Sequence, residues 1–322
     1  MSVILAGQSE SGAYVASPAL EEYRYSWLRD GAFVADAMSR VGKTASAEAF
    51  FGWCSEVVLA RAERVEELIA RHRSGEVIAD GEHLPCRFTT EGEEVGVPWS
   101  DFQLDGYGLW LWALDAHERR HGTRLDGAAA GAALTERYLA EFWAEPCFDW
   151  WEERRGVHAA TLGCVQAGLA ARGRPEAAAV REALHELVEP PLDGSLLCLA
   201  EPFDLVDPTA LLDRIEAGLL SPGGGVHRRP ADTYYGGGEW LLLTCLLGWC
   251  RLRAGREDGA RAALRWTAEH ATPEGDLPEQ ARDHLLAPGW YETWSARWGP
   301  PASPLMWSHA MFLTLAAELG EA

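Results

Sequence analysis

The stretch FDWWEERRGVH, Phe148 to His158, sets two carboxylates directly after two tryptophans, with Arg154, Arg155 and His158 just behind. Tryptophan faces pack on the apolar faces of pyranose rings, and carboxylates and guanidiniums hydrogen-bond sugar hydroxyls. The chain holds 15 tryptophans, and many lie in segments that also carry Asp, Glu, Arg and Gly. That mixture points to carbohydrate chemistry. Glycoside hydrolysis needs one carboxylic acid to protonate the leaving oxygen and a second carboxylate opposite it. Glu152 and Glu153 are chain neighbours and cannot flank one bond from opposite faces. The second group must therefore come from elsewhere, and Glu279 in GDLPEQ is the candidate.

The elements that must hold these residues are helices. Apolar residues recur at helical spacing in Phe33, Val34, Ala37, Met38 and Val41. The same period predicts one long helix from Thr44 to His72. Further helices are expected over about Leu104–Arg120, Gly127–Trp143, Val157–Ala171, Pro175–Val188, Pro208–Leu219, Glu239–Ala254, Asp258–His270 and Pro304–Leu319. Gly42, Gly122 and Gly173 stand where C-terminal glycines belong, and Asp207-Pro208 reads as an N-cap followed by proline at the first helical position. No strand alternation is evident outside short stretches at Cys86–Thr90 and Ser195–Leu199. About ten to twelve helices without a dividing linker predict one all-α domain, residues 1–322, closed as a toroid of helical hairpins. The segments that fit no helix share one chemical flavour: EYRYSWLRD, GVPWSDFQLDGYG, PCFDWWEERRG, GGGVHRRPADTYYGGGEW and GDLPEQ. Loops alike in this way are expected to converge on one site.

Taken in order, YRYSWLRD, WSDFQLDGYG, WWEE, RRPADTYYGGGEW, LPEQ and PLMWSHA resemble the motifs of glycoside hydrolase family 15, the glucoamylase-like exo-α-glucosidases. The resemblance spans about Gly12 to Ala310 and implies an (α/α)6 barrel and an inverting mechanism. By position, Glu152 resembles the general acid and Glu279 the general base that activates water. Tyr23 resembles a tyrosine near that water. Arg29 and Asp30 resemble the pair that grips the terminal glucose, and Trp99 a tryptophan lining the pocket. Glu153 resembles a substrate-binding carboxylate and Arg228 a substrate arginine, with Arg229 the alternative. Trp151 and Tyr234 are expected to contact substrate as well. The tryptophans are expected to form an apolar wall that keeps Glu152 protonated, while Arg154 or Arg155 offsets the carboxylate density. Inversion requires the carboxyl groups of Glu152 and Glu279 to lie roughly 6.5–9.5 Å apart.

Each of these residues also has a plain structural reading. Asp30 fits an N-cap for a helix starting at Gly31. His158 fits a hydrogen-bonded histidine at a helix start, and Trp110, Trp112, Trp240, Trp249 and Trp266 fit a core. From the position of the first motif, the family's frequent N-terminal β-sandwich is not expected. The spacing of Glu152 and Glu279, 279 − 152 = 127 residues, leaves room for short rim loops and favours short α-glucosides over granular starch. A trehalase of the same family and a non-catalytic sugar-binding protein on the same barrel are the alternatives. A helical terpenoid cyclase is disfavoured because no D-x-D-D motif occurs.

Composition narrows the partners. A formal charge of −21 and a pI near 4.8 repel phosphate backbones and anionic headgroups, so neither nucleic acid nor membrane is expected as a partner. Seven cysteines without C-x-x-C spacing suggest free thiols, a reducing compartment and a cytoplasmic location. No metal or organic cofactor is implied, since acid–base hydrolysis needs only water. The oligomeric state is not legible.

Overall fold

The computed structural model describes residues 1–187 and 190–322. Among them are thirteen α-helices. The first half of the chain holds α1 (Ser2–Ala6), α2 (Leu28–Arg40), α3 (Thr44–Leu59), α4 (Ala62–Arg73), α5 (Asp105–His121), α6 (Asp126–Phe142) and α7 (Ala159–Ala171). There follow α8 (Glu176–Glu186), α9 (Pro208–Leu219), α10 (Leu241–Arg253), α11 (Glu257–Glu269), α12 (Tyr291–Trp298) and α13 (Met306–Glu318). Contacts divide the chain into two compact units. One comprises Gln8–Val15 and Tyr25–Pro190; the other comprises Met1–Gly7, Ala16–Arg24 and Pro191–Ala322.

Two kinds of helix build each unit. In the unit containing residues 25–190, α2, α5 and α7 are buried on nearly every face. A helix apolar all round belongs inside, and α7 (AATLGCVQAGLAA) has no polar stripe to turn outward. Around them pack α3, α4, α6 and α8, each with one buried face. In the other unit α10 and α13 are the enclosed helices, flanked by α1, α9 and α11.

Short strands sit where enclosed helices begin. β1 (Ser26–Trp27) runs directly into α2 and pairs antiparallel with β2 (Arg87–Phe88), Trp27 opposite Arg87. β3 (Cys147–Phe148) and β4 (Arg155–Gly156) form a hairpin ahead of α7. In the other unit β5 (Val226–His227), β6 (Glu239–Trp240) and β7 (Gln280–Ala281) form an antiparallel sheet with β6 central, and β6 leads into α10.

Several expectations needed correction. The helix expected from Thr44 to His72 is two helices, α3 and α4. Arg61 donates to the Val57 carbonyl (2.7 Å) at the end of α3 and to the Gly92 carbonyl (2.9 Å), so the chain turns there without glycine or proline. The helix expected to reach Val188 ends at Glu186, and Val188 lies outside the described residues. Ser195–Leu199 is part of a 3-10 helix, Gly194–Leu199, begun by the Asp193 carboxylate, which accepts from the Ser195 N–H at 2.9 Å. Asp30 does not cap a helix at Gly31. It lies in the first turn of α2, which starts at Leu28. The Asp207 N-cap holds, with Oδ1 accepting from the Thr209 N–H at 2.8 Å. All seven cysteines are buried and outside any disulfide, and no helix among the described residues is long and apolar enough to cross a membrane.

Candidate active site

In the unit of residues 25–190 the candidate residues gather on Glu152. The β3–β4 hairpin turns through Trp150–Arg154, and Asp149 organises that turn. Its carbonyl accepts from the Glu152 N–H (2.9 Å), and its Oδ1 accepts from the Glu153 N–H (2.9 Å) and the Arg154 N–H (3.1 Å). The turn puts Glu152 at φ +63, in the left-handed region that a non-glycine residue enters only when its surroundings impose it. There its carboxylate collects three donors. Oε1 accepts from Trp27 Nε1 (2.6 Å) and Arg29 Nη2 (3.4 Å), and Oε2 accepts from Trp99 Nε1.

Arg29 is buried in the first turn of α2. Its Nη1 donates to Gln103 Oε1 (2.7 Å) and Asp105 Oδ2 (3.2 Å), and its Nε lies 3.5 Å from Asp30 Oδ2. Burial opposes its charge, but Asp105, Asp30 and Glu152 together hold it above the ordinary arginine range. Burial pushes the Asp30 carboxyl up to about 7; Arg29 works against that shift, and Glu152 and Asp105 add to it. Arg87 supports the aromatic side. Its guanidinium stacks 4.1 Å from the Trp99 ring and 5.4 Å from the Trp27 ring, and Nε lies 3.5 Å from Asp101 Oδ1. The rings of Trp27 and Trp99 meet edge to face at 6.3 Å.

In the other unit the gathering point is Glu279, one residue before β7. Its strand is pinned on both sides. The Glu279 N–H donates to the Ala302 carbonyl (2.8 Å), Leu277 N–H to His309 Nε2 (2.9 Å), and Ser308 Oγ to the Pro278 carbonyl (2.8 Å). Burial lowers His309 to about 4, so its ring stays neutral and can accept. Tyr23 donates to Glu279 Oε1 at 3.1 Å, and its hydroxyl lies 3.0 Å from that of Tyr234. A phenol has one proton, so Tyr234 donates to Tyr23 and Tyr23 to Glu279. Burial and the nearby Glu279 raise the Tyr234 phenol well above its usual value, which keeps that proton in place.

Beside this relay, Arg228 forms a bidentate pair with Asp232 (2.9 and 2.7 Å) and lies 5.1 Å from the Tyr234 ring and 5.4 Å from the Trp240 ring. Its neighbour Arg229 turns elsewhere, to Asp193 at 3.0 Å. The loop closes only with glycine at 237. There φ is +69, and a Cβ would meet the Asp232 carbonyl oxygen at 2.4 Å.

Arg29, Asp30, Trp99 and Glu152 are thus one cluster, and Tyr23, Arg228, Tyr234 and Glu279 another. The Glu153 side chain is exposed, and Trp151 lies edge to face with Trp150 at 6.3 Å. The explanation expected for the WWEE pairing needed revision. Trp150 packs in the core against Phe33 (5.9 Å). Trp27 and Trp99 reach Glu152, and they act through their N–H groups. Arg155 pairs with Asp80 (2.7 and 2.8 Å), and a guanidinium that reaches Glu152 is that of Arg29, at 3.4 Å. Sequence reasoning passed over Trp27, Arg87, Asp105 and Asp149. Trp27, Asp105 and Asp149 lie inside segments already singled out, YRYSWLRD, WSDFQLDGYG and PCFDWWEERRG. Arg87 and Asp149 reach their roles only through strand pairing and turn geometry.

The sequence model of glycosyl hydrolases family 15 matches residues 1–184. The isomaltose glucohydrolase of Kribbella flavida is 44% identical over 349 aligned residues, covering 99% of this chain and 91% of that protein. A wild-type glycosidase superimposes with a TM-score of 0.93 at 42% identity, over 99% of this chain and 95% of that one. A glycosidase variant solved in complex with glucose matches with the same values. The glucoamylase from Saccharomycopsis fibuligera shares the fold, with a TM-score of 0.73 at 15% identity over 99% of this chain and 93% of that one. The fold class is therefore the all-α, (α/α)6-barrel class of the glucoamylases.

Proposed function

The chain belongs to glycosyl hydrolase family 15 and is a glycoside hydrolase, and from that premise we propose that it is an inverting exo-α-glucosidase that frees β-D-glucose from the non-reducing end of short α-glucosides. Isomaltose is the first substrate to test. The observation that carries this reading is the 44% identity to an isomaltose glucohydrolase across 99% of the chain.

The roles follow from chemistry at named atoms. Glu152 passes a proton to the glycosidic oxygen as the bond from that oxygen to the anomeric carbon breaks. Glu279 takes a proton from a water whose oxygen bonds to that carbon from the opposite face. Glu152 ends ionised and Glu279 protonated, and exchange with solvent resets both. The Tyr234–Tyr23 relay supports this assignment, because it orients Glu279 Oε1 by a donated hydrogen bond. The N–H groups of Trp27, Trp99 and Arg29 hold the Glu152 carboxylate in one position and stabilise it once the proton has left. Arg29 and Asp30 provide a charged donor and an acceptor for the hydroxyls of the terminal glucose, and Trp99 an apolar face for its ring. Arg228, Trp151, Tyr234 and Glu153 are assigned to substrate contact.

The test is glucose release from isomaltose, maltose, trehalose and maltoheptaose, with the product anomer followed by proton NMR. Isomaltose is expected to be cut fastest, with β-glucose appearing first. Glu279→Ala and Glu152→Gln are each expected to lose about 100-fold to 10,000-fold in kcat. Initial α-glucose, or a Glu279→Ala enzyme at full rate, would overturn the mechanism. Preference for trehalose would replace the substrate assignment with the trehalase reading.

A further inference from the structure

The sheet that leads from Glu279 carries a second carboxylate with no part in this mechanism. Glu239, on the central strand β6 opposite Ala281, is completely buried. Its Oε1 accepts from the Ser221 hydroxyl and lies 3.3 Å from His284 Nδ1. Its Oε2 has no hydrogen-bond partner. A buried carboxylate left in that state is costly, and needs an opposite charge to be tolerated.

Two further groups meet it. Ligand atoms of Glu239, His270 and Asp283 all lie within 4.8 Å of one another. His270 stands at the C-terminal end of α11, its ring stacked on Trp266 at 4.0 Å. Its Nδ1 is 2.7 Å from the Trp266 carbonyl. A carbonyl can only accept, so Nδ1 carries a proton. That leaves Nε2 facing Asp283 Oδ2 at 3.2 Å. In a neutral imidazole this is a lone pair opposed to a carboxylate oxygen. Something positive must lie between them, a proton or a metal ion. The Nδ1–H bond to a backbone carbonyl is the outer contact that metal-binding histidines ordinarily make.

We propose that Glu239, His270 and Asp283 bind one divalent transition-metal ion. One imidazole nitrogen with two carboxylates suits zinc or its first-row neighbours better than magnesium or calcium, which prefer all-oxygen shells. One divalent ion both neutralises Glu239 and removes the opposition between His270 and Asp283. Its ligands come from β6, from the end of α11, and from the residue two places beyond β7. The ion therefore ties the strand that follows Glu279 to α11. Sequence spacing conceals the group, because the three residues stand on three separate elements.

The experiment uses the full chain, stripped with a chelator and dialysed against Zn2+ at neutral pH. Bound metal is measured by elemental analysis, and melting is followed with and without Zn2+. About one tightly bound zinc per chain is expected, with a rise in Tm. His270→Gln and Asp283→Asn are expected to weaken zinc binding at least tenfold, roughly the smallest loss seen when a supporting group is removed. Asp283 is largely exposed, so Asp283→Asn tests the site even if His270→Gln fails to fold. Absence of bound zinc, or zinc bound equally by Asp283→Asn, would overturn the proposal.

Discussion

At the scale of the residue, Asp30 shows binding geometry and stability pulling in opposite directions. Burial raises its carboxyl to about 7 despite Arg29 beside it. The sign follows by linkage. The folded state prefers the protonated form, so this group's favourable contribution is fully present below the ordinary value of 3.8 and is lost as pH rises towards about 7. Asp30→Asn removes the ionisable group. Its Tm should therefore exceed that of the native protein by a margin that widens between about pH 4 and pH 7, at about 1.4 kcal/mol per unit of pKa separation. If Asp30 holds a glucose hydroxyl, kcat/KM of the same variant should fall by roughly tenfold to a hundredfold, the loss typical of a hydrogen bond to a charged group. Melting curves across pH together with isomaltose kinetics check both. A constant Tm difference would show that Asp30 is not the titrating group. The residue types at this site were legible in the sequence, because Arg, Asp, Trp and Glu in one motif order leave few chemistries open. Their partners were not. Trp27 and Trp99 reach Glu152 through N–H donors, a geometry that depends on a left-handed Glu152 which no spacing rule indicates.

At the scale of the element, α5 and α7 depend on backbone approaching backbone. A Cβ on Gly108 would meet the Cys164 carbonyl oxygen at 2.3 Å, and one on Gly168 would meet the Gly108 carbonyl oxygen at 2.4 Å. Neither atom is the free end of a flexible side chain. Gly108→Ala gains about 1 kcal/mol of helix propensity yet forces the helices apart, so a net loss of about 1–3 kcal/mol is expected. Gly127, in α6, meets nothing within 4 Å, and alanine there should stabilise by up to about 1 kcal/mol. Urea titration of the two variants distinguishes them by the direction in which the midpoint moves. The longer helices were legible because a 3.6-residue period reports a half-buried face directly, whereas the short α1 and α12 were not expected. The break between α3 and α4 was not, since Arg61 makes it by side-chain bonds to carbonyls. Of the two-residue strands only β2 falls in a stretch singled out in the sequence for alternation, Cys86–Thr90, because no alternation can be read from two residues.

At the scale of the whole molecule, the formal charge of −21 sets the surface field. A charged substrate would be steered or repelled by it, but a neutral glucoside feels no such force. The rate constant kcat/KM for isomaltose should therefore change by less than about twofold between about 20 mM and 300 mM salt, a range over which the screening length shrinks several-fold. A steep salt dependence in stopped assays would mean that the preferred substrate carries charge.

The sequence alone determined the helical class, the family resemblance and the cast of carboxylates, aromatics and arginines, because these depend on residue type and local period. Tertiary structure decided which donors hold Glu152, which arginine faces Tyr234, and how Tyr23 hydrogen-bonds Glu279. It also brought Glu239, His270 and Asp283 together from three elements. Such contacts join residues tens to hundreds of positions apart, and a hydrogen bond is specified by distance and angle, which neither composition nor spacing encodes.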